Sequence, residues 1–410
     1  MHGNGCRIGV PGQSPAFKGV AMQPVAILSA QRTPIGAFQG GFSDLSAPDL
    51  GAVAIAAAVA DSGIDPGRID EALIGLVLGA GVGQAPARQA VLGAGLPRSI
   101  PCTTVSKVCG SGMKAIIDAT LRIGAGEAQV MLAGGMESMT NAPHLIPNSR
   151  RGQRLGHGRL VDHMFADGLE DAYDKGALMG QFAELCAGTY SFTRADQDAW
   201  AIRSLERALA AQAQGRFDRE IAPVTVTTRN GSVTVTADEQ PGLAQPAKIP
   251  HLKPAFRPDG TVTAASSSSI SDGAAALVLA SGTEPGIAPR AWIRGAAAHA
   301  QDPAWFTTAP VAATRKLLDR LGWQAGDVDL WEVNEAFAVV ALAFVRDLDL
   351  PADRVNVNGG ACALGHPIGA SGARIVVTLL HAMEQRGARR GIAAICIGGG
   401  EALAIALERD

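Results

Sequence analysis

Four side chains in this 410-residue chain combine a reactive group with glycine-rich surroundings that allow close approach. Cys109 in "VSKVCGSGMKA" directly precedes Gly110–Ser111–Gly112 and a stretch with helical periodicity. A thiol at a helix N-terminus meets unpaired N–H groups and the positive end of the dipole, which lowers its pKa and favours the thiolate. The competing reading is a small buried hydrophobe, the commonest fate of a lone cysteine. Cys396 closes an apolar strand and is followed by Ile397 and three glycines. Taken alone, that position reads more readily as core. His366, one of eight histidines, is the only one inside a glycine-rich loop, "NGGACALGHPIGASGAR" (358–374). Asn334 sits beside Glu335 in "WEVNEAFA" (331–338), where a buried amide is either a turn residue or the holder of a water.

The remaining candidates read as structural. Cys362 is packing, as are Cys6, Cys102 and Cys186, and His251, His299 and His381 read as surface or helix-flank residues. No H-E-x-x-H, no histidine pair at metal-ligand spacing, no G-x-x-x-x-G-K-[ST] and no G-x-S-x-G occurs, so metal catalysis, Walker-type nucleotide binding and a serine elbow lack support.

These residues need elements to hold them. A strand is predicted over 24–30. A helix follows from Ala47–Pro48–Asp49, with Gly63 as its stop, and then a short buried strand in "IDEALIGLVL". After Cys109 the spacing of Met113, Ile116, Ile117, Thr120 and Leu121 predicts an amphipathic helix, and "AQVMLAGG" a compact strand. Alternation of this kind indicates α/β layering. The chain also repeats itself: "GIDPGRIDEALIG" (63–75) aligns with "GWQAGDVDLWEVN" (322–334), "SGMKAI" (111–116) with "SGARIV" (371–376), and "VMLAGGMES" (130–138) with "ICIGGGEAL" (395–403) when shifted by one for the closest overlap. The offsets are 259, 260 and about 264, which predicts two copies of one α/β unit at 23–139 and 292–410, with 271–291 completing the first. Residues 140–270 differ in style and read as an inserted loop domain, with a helix near 193–215 and a hairpin in "VTVTTRNGSVTV" turning at Asn230–Gly231. The serine run 266–269 would ordinarily be a flexible loop.

Composition bounds the class. Apolar residues are 47% and charged residues 18%, those of an ordinary folded protein, and the net charge of −3 gives no reason to expect nucleic acid or an anionic membrane as partner. Six scattered cysteines without a C-x-x-C pair fit a reducing compartment, no run reaches membrane-span length, and a cytoplasmic location is expected. Residues 1–22 are polar and glycine-rich without an apolar signal core and read as a disordered extension. Arg150, Arg151, Arg154 and Arg159, joined by Lys248, Lys253 and Arg257, form either a solvated surface or a positive field for an anionic ligand.

Taken together, "VSKVCGSGMKA", "MLAGGMESM", "WEVNEAFA", "NGGACALGHPIGASGAR" and "CIGGGEA" resemble the thiolases, and among them the short-chain acetyl-CoA acetyltransferases, over nearly everything from Met22 onward. The resemblance implies a fold of two duplicated α/β halves packed as a five-layered α-β-α-β-α core with the inserted loop domain. It implies that Cys109 is the acyl-accepting nucleophile and that His366 takes its proton and later lines an oxyanion hole completed by a water on Asn334. Cys396 would be the base acting on Cα of a second acetyl-CoA, and the N–H groups of Cys109 and Gly398 a second oxyanion hole. Ser268 would contact the pantetheine, Leu252, Phe256, Ala336 and Phe337 would line the CoA tunnel, and Met179 would sit beside the acetyl group. The arginine-rich loop matches a tetramerisation region, so a homotetramer is implied. Coenzyme A enters as part of the acetyl-CoA or acetoacetyl-CoA substrate, with no permanently bound cofactor. Ser266, Phe306 near the acyl site, and Glu401 depart from the family pattern, as does Leu178 where some members have histidine. The alternatives are a degradative 3-ketoacyl-CoA thiolase for longer chains, a decarboxylating ketoacyl synthase, and a catalytically silent CoA-binding or scaffolding relative.

Overall fold

The structure, a computed structural model, describes residues 23–228, 231–282 and 287–410. The expected N-terminal extension and the Asn230 turn residue lie outside them.

The first half builds β1 (Val25–Arg32), α1 (Ala47–Ser62), β2 (Glu71–Gly75), β3 (Cys102–Val105), α2 (Ser111–Gly124), β4 (Val130–Ser138) and, after the insertion, β5 (Ser271–Ser281). Helix α1 begins where its sequence dictates. Ser46 and Asp49 form a reciprocal capping box, Pro48 occupies the first turn, and Gly63 ends the helix at φ 69°. The second half repeats the order as β6 (Ala291–Ala300), α5 (Ala309–Leu321), β7 (Leu330–Val333), α6 (Ala338–Asp347), α7 (Ile368–Arg386), β8 (Arg390–Ile397) and β9 (Glu401–Glu408). The strands run β7-β8-β9-β6-β1-β5-β4-β2-β3, and the halves join where Val25–Ile27 pair with Ile293–Ala291.

Alternation along the strands assigns the layers. In β4, Met131 and Ala133 enter a central cluster with Met113, Ile116, Ile375 and Leu379 of α2 and α7, while Val130 and Leu132 face outward to Leu50 and Ile55 of α1. In β8, Ala393 and Ile395 face the same centre, while Ala394 and Cys396 turn toward Leu317 of α5 and Val340 of α6. Helices therefore cover both outer faces and fill the middle, giving five layers. With both faces covered, the strands read as unbroken apolar runs.

Strand register corrects the third piece of the repeat. Ala72 faces Leu132, and Trp331 faces Ile392, so β4 corresponds to β8 at 392 − 132 = 260 rather than about 264. The glycine-rich ends had drawn the sequence alignment past the true strand. The stripe on α2 is also rotated. Met113 and Ile116 are buried as expected, but Ala115, Ala119 and Ile123 complete the buried face, and Leu121 is 52% exposed. His381, read as a surface or helix-flank residue, is buried on α7 with Nε2 2.9 Å from the Ala30 carbonyl.

Within 140–270 lie α3 (Met179–Tyr190), α4 (Arg194–Ala213) and the hairpin of Val224–Thr228 with Gly231–Val235. A fully buried Arg32 ties this segment to β1 through Glu220 and Asp238, each at 2.7 Å. Removing one member would strand the others' charges in the interior.

Candidate active site

The two matching Ser–Gly pairs meet at the centre of the molecule. A Cβ on Gly112 would stand 2.9 Å from the Ala373 nitrogen, and one on Gly372 2.6 Å from the Met113 nitrogen, so only glycine lets α2 and α7 touch at their first turns. Each serine also fastens the turn before its helix. Ser111 Oγ donates to the Val108 carbonyl (2.7 Å) and accepts from the Lys107 N–H (2.8 Å), holding Val108 at φ 44°. That left-handed valine is a strained position held by its surroundings, and it points the next residue, Cys109, into the cleft. Ser371 Oγ donates its one hydrogen to the Pro367 carbonyl (2.9 Å) and lies 2.5 Å from His366 Nδ1. Nδ1 therefore carries the ring proton, which leaves Nε2 as the acceptor.

His366 is buried and rests neutral. Burial, helped by the charge of Arg374, pushes its pKa down to about 3. Asn334 Nδ2 lies 3.5 Å from Nε2, while Asn334 Oδ1 is buried with no hydrogen-bond partner. The Asn334 turn is held by Asn356, which accepts from the Val333 N–H and donates back to its carbonyl. It is also held by Glu335, whose carboxylate receives Trp200, Ser204, Asn356 and the Cys362 N–H at 2.7–3.1 Å. Glu335 thus joins the inserted segment to the "NEAF" turn, and Cys362 belongs to that frame.

The cysteines behave differently from the sequence expectation. Cys109 lines the cleft, but burial pushes its thiol up to about 11, outweighing the N–H groups of Gly398 and of Cys109 itself that pull it down. The expected lowering at the α2 N-terminus is overturned because desolvation of a thiolate exceeds what two amide donors return. Cys396 is buried and driven well above the ordinary thiol range by burial and by the charge of Cys109, with the Ala336 N–H acting the other way. Alkylation of Cys109 by iodoacetamide should accordingly keep accelerating as pH rises past the ordinary thiol range. A plateau near pH 8 would contradict this.

The cleft, about 240 Å³, is lined by Cys109, His366 and Gly398, by Met179 and Phe306, and by Phe256, Ser268, Ala336 and Phe337. The ring of Phe337 receives Phe256 and Phe306 edge-on, with centroids 5.9 and 6.3 Å apart. Asn334 and Cys396 lie behind this wall rather than on it. Leu252 lines a neighbouring cavity of about 280 Å³ with Lys248 and Cys362, which shares Ser267 and Ser269 with the cleft. The serine run is pinned, not loose. The Ser268 N–H donates to Ala336, Ser266 Oγ accepts from the Thr263 N–H, and the Ser269 carbonyl accepts from the His366 N–H. Glu401 forms an ion pair with Lys107, joining the turn after β8 to the Cys109 turn. Arg150, Arg151, Arg154 and Arg159 are exposed, and none lines the cleft.

Residues 25–283 match the family description "Thiolase, N-terminal domain" and residues 287–409 "Thiolase, C-terminal domain". The chain belongs to the thiolase family. It is 48% identical to an acetyl-CoA acetyltransferase of Pseudomonas aeruginosa over 394 residues, covering 95% of this chain and all of the relative. It is 49% identical to acetyl-CoA acetyltransferase 2 of Arabidopsis thaliana over 390 residues, 94% of this chain and 96% of the relative. Among solved structures, the Acat5 thiolase of Ascaris suum in complex with coenzyme A superposes with TM-score 0.89 at 45% identity. The Bacillus anthracis acetyl-CoA acetyltransferase does so with 0.92 at 40%, each match covering 95% of this chain and all of the other.

Proposed function

We propose that this protein is an acetyl-CoA C-acetyltransferase, joining two acetyl-CoA into acetoacetyl-CoA plus CoA and running the reverse thiolysis. The observation that carries the reading is the convergence, around one cleft, of a thiol, a neutral imidazole whose Nε2 lone pair meets only the long 3.5 Å contact from Asn334 Nδ2, and two N–H groups directed at the sulfur. In the first half-reaction Cys109 Sγ attacks the thioester carbonyl and His366 Nε2 takes its proton. The oxyanion forms beside the N–H groups of Gly398 and Cys109, and the C–S bond to CoA breaks. Cys396 rests as a thiol, so it becomes a base only after giving its proton to the departing CoA sulfur.

In the second half-reaction the Cys396 thiolate removes a proton from Cα of the next acetyl-CoA. The enolate oxygen faces His366, now protonated at Nε2, and a water on Asn334. The unpaired Oδ1 of Asn334 can only accept from that water, which leaves the water's other hydrogen for the oxyanion. The enolate carbon attacks the acetyl group, Cys109 leaves, and His366 returns its proton. Donors aimed at such an oxygen are worth roughly 10²–10³ each in rate. On the same reading, residues 140–270 form the inserted domain that brings Met179, Phe256 and Ser268 to the substrate, and the exposed arginine segment serves tetramer assembly. The decisive experiment is mass spectrometry after exposure to acetyl-CoA: an acetyl group on Cys109 supports the reading, and an unmodified protein refutes it.

Phe306, packed edge-on against Phe337, lines the same cleft as Cys109, and a bulky ring there supports a short acyl group. Phe306→Ala should raise thiolysis of an eight-carbon ketoacyl-CoA relative to acetoacetyl-CoA by about tenfold or more. An unchanged ratio would show that Phe306 does not set chain length. Phe306→Leu guards against a loss of folding.

A further inference from the structure

One fully buried carboxylate has no part in the scheme above. Glu137 lies in β4 opposite Gly273, and among the described residues no cation pairs with it. Its partners are three backbone N–H groups. Val77 (3.1 Å) and Leu78 (3.1 Å) come from the loop after β2, and Gly369 (2.9 Å) from the first turn of α7, three residues beyond His366. The two oxygens thus draw on both halves of the molecule at once. Gly135 points to the same face of β4, where an added Cβ would stand 2.2 Å from the Gly369 carbonyl and 3.0 Å from Gly112 Cα. A Cβ on Gly369 would meet Glu137 Oε2 at 2.7 Å. Strand β4, the Cys109 helix and the His366 helix are therefore packed backbone to backbone, with Glu137 as the polar fastening.

We propose that Glu137 is a positioning residue that clamps the first turn of α7, and with it His366, against the first half beside the Cys109 turn. The role assigned to His366 rests on the acyltransferase reading; the clamp itself does not. An apolar residue at this position would leave three buried donors without acceptors. A carboxylate gives lone pairs to all three, at the cost of burying a charge. Burial pushes this carboxyl up to about 7, against the three N–H groups, and Asp272 on β5 adds to the rise. The titratable groups around it are Asp272 and, on the nucleophile turn, Cys109, whose own pKa the Glu137 charge raises.

The sign of the pH effect follows. Protonation puts a hydrogen on an oxygen that must face an N–H, so the clamp weakens as pH falls through about 7. Because the folded pKa lies above the ordinary carboxylate value, the stabilising contribution is present below that ordinary value and lost as pH rises through about 7. Activity and stability therefore move in opposite directions with pH at this residue, and a merely structural carboxylate would move them together.

The test compares wild type, Glu137→Gln and Glu137→Ala by rapid-quench acetylation of Cys109. For Glu137→Ala the acetylation rate should fall roughly a hundredfold, and for Glu137→Gln roughly tenfold, with KM within about twofold and full final stoichiometry. Iodoacetamide alkylation of Cys109 should shift to lower pH in both variants, since a negative charge is gone; the slow acetylation would then come from a misplaced imidazole rather than a weaker thiol. Wild-type acetylation in Glu137→Gln, or alkylation slowed together with acetylation, overturns the proposal. If the wild type itself takes no acetyl group, the acyltransferase reading falls separately. Hydrogen exchange over residues 366–372 then decides the clamp: faster exchange in Glu137→Gln upholds it and unchanged exchange overturns it.

Discussion

Cys109→Ser should abolish acetyl transfer, lowering kcat by about 10⁴-fold or more and leaving no acetyl group at position 109 after exposure to acetyl-CoA. The argument is one of proton affinity and geometry together. Even as a thiol, Cys109 is pushed up to about 11, so the free thiolate is scarce at neutral pH, and attack must be coupled to proton removal by His366. His366, with its pKa pushed down to about 3, is a weak base, so it can take that proton only as the sulfur bonds to carbon. A serine hydroxyl, far harder to deprotonate than a thiol, leaves the same imidazole with no workable partner. The shorter C–O bond also draws the nucleophile back from the N–H groups of Gly398 and residue 109. Labelling of the serine variant by acetyl-CoA at a wild-type rate would defeat the nucleophile assignment.

The sequence carried the parts of this site whose signals are local. Glycine after Cys109, glycine around His366 and glycine after Cys396 all mark places where two backbones approach, and the described structure has close approach at each. The repeat was legible because strand and helix patterns survive duplication. Its third segment slipped because "GGMES" and "GGGEA" look alike, although the first lies on β4 and the second in the turn from β8 into β9. What was not legible depends on long-range burial. The α2 dipole argument was sound locally, but desolvation by the surrounding halves reversed its sign at Cys109. The tautomer of His366 hangs on Ser371, whose match to Ser111 was visible, though its hydrogen bonds were not. Glu137 gave no sequence signal of its own, since a glutamate two residues past a glycine pair reads as a strand end.

Duplication also accounts for the division of labour. Both copies end a turn with a serine that bonds back to the chain three or four residues earlier, Ser111 to Val108 and Ser371 to Pro367. In one copy the fastened turn presents a thiol, in the other an imidazole. Because the two helices meet at Gly112 and Gly372, the groups converge with no long side chain spanning the gap. Short, fastened groups keep few rotamers, which is what a reaction sensitive to misplacement of about 1 Å requires.

Cys396→Ala should separate the two half-reactions. Acetylation of Cys109 should persist, because CoA can leave as a thiolate even without a proton from Cys396, and the N–H donors at Cys109 stay in place. Condensation should fall by about 10²–10⁴-fold, the usual worth of a positioned base. With acetyl-CoA alone, the acetyl-enzyme should therefore accumulate to full stoichiometry without forming acetoacetyl-CoA. Exchange of the Cα protons of acetyl-CoA into deuterated water should cease as well, and that readout isolates proton removal from carbon–carbon bond formation. Cys396 is 1% exposed in β8 and shielded by α5 and α6, so the alanine leaves a small cavity behind the cleft and no new polar surface. Acylation lost together with condensation would mean that Cys396 supports the nucleophile instead. Cα exchange that continues at the wild-type rate would move the base to another residue, with His366 the first to test.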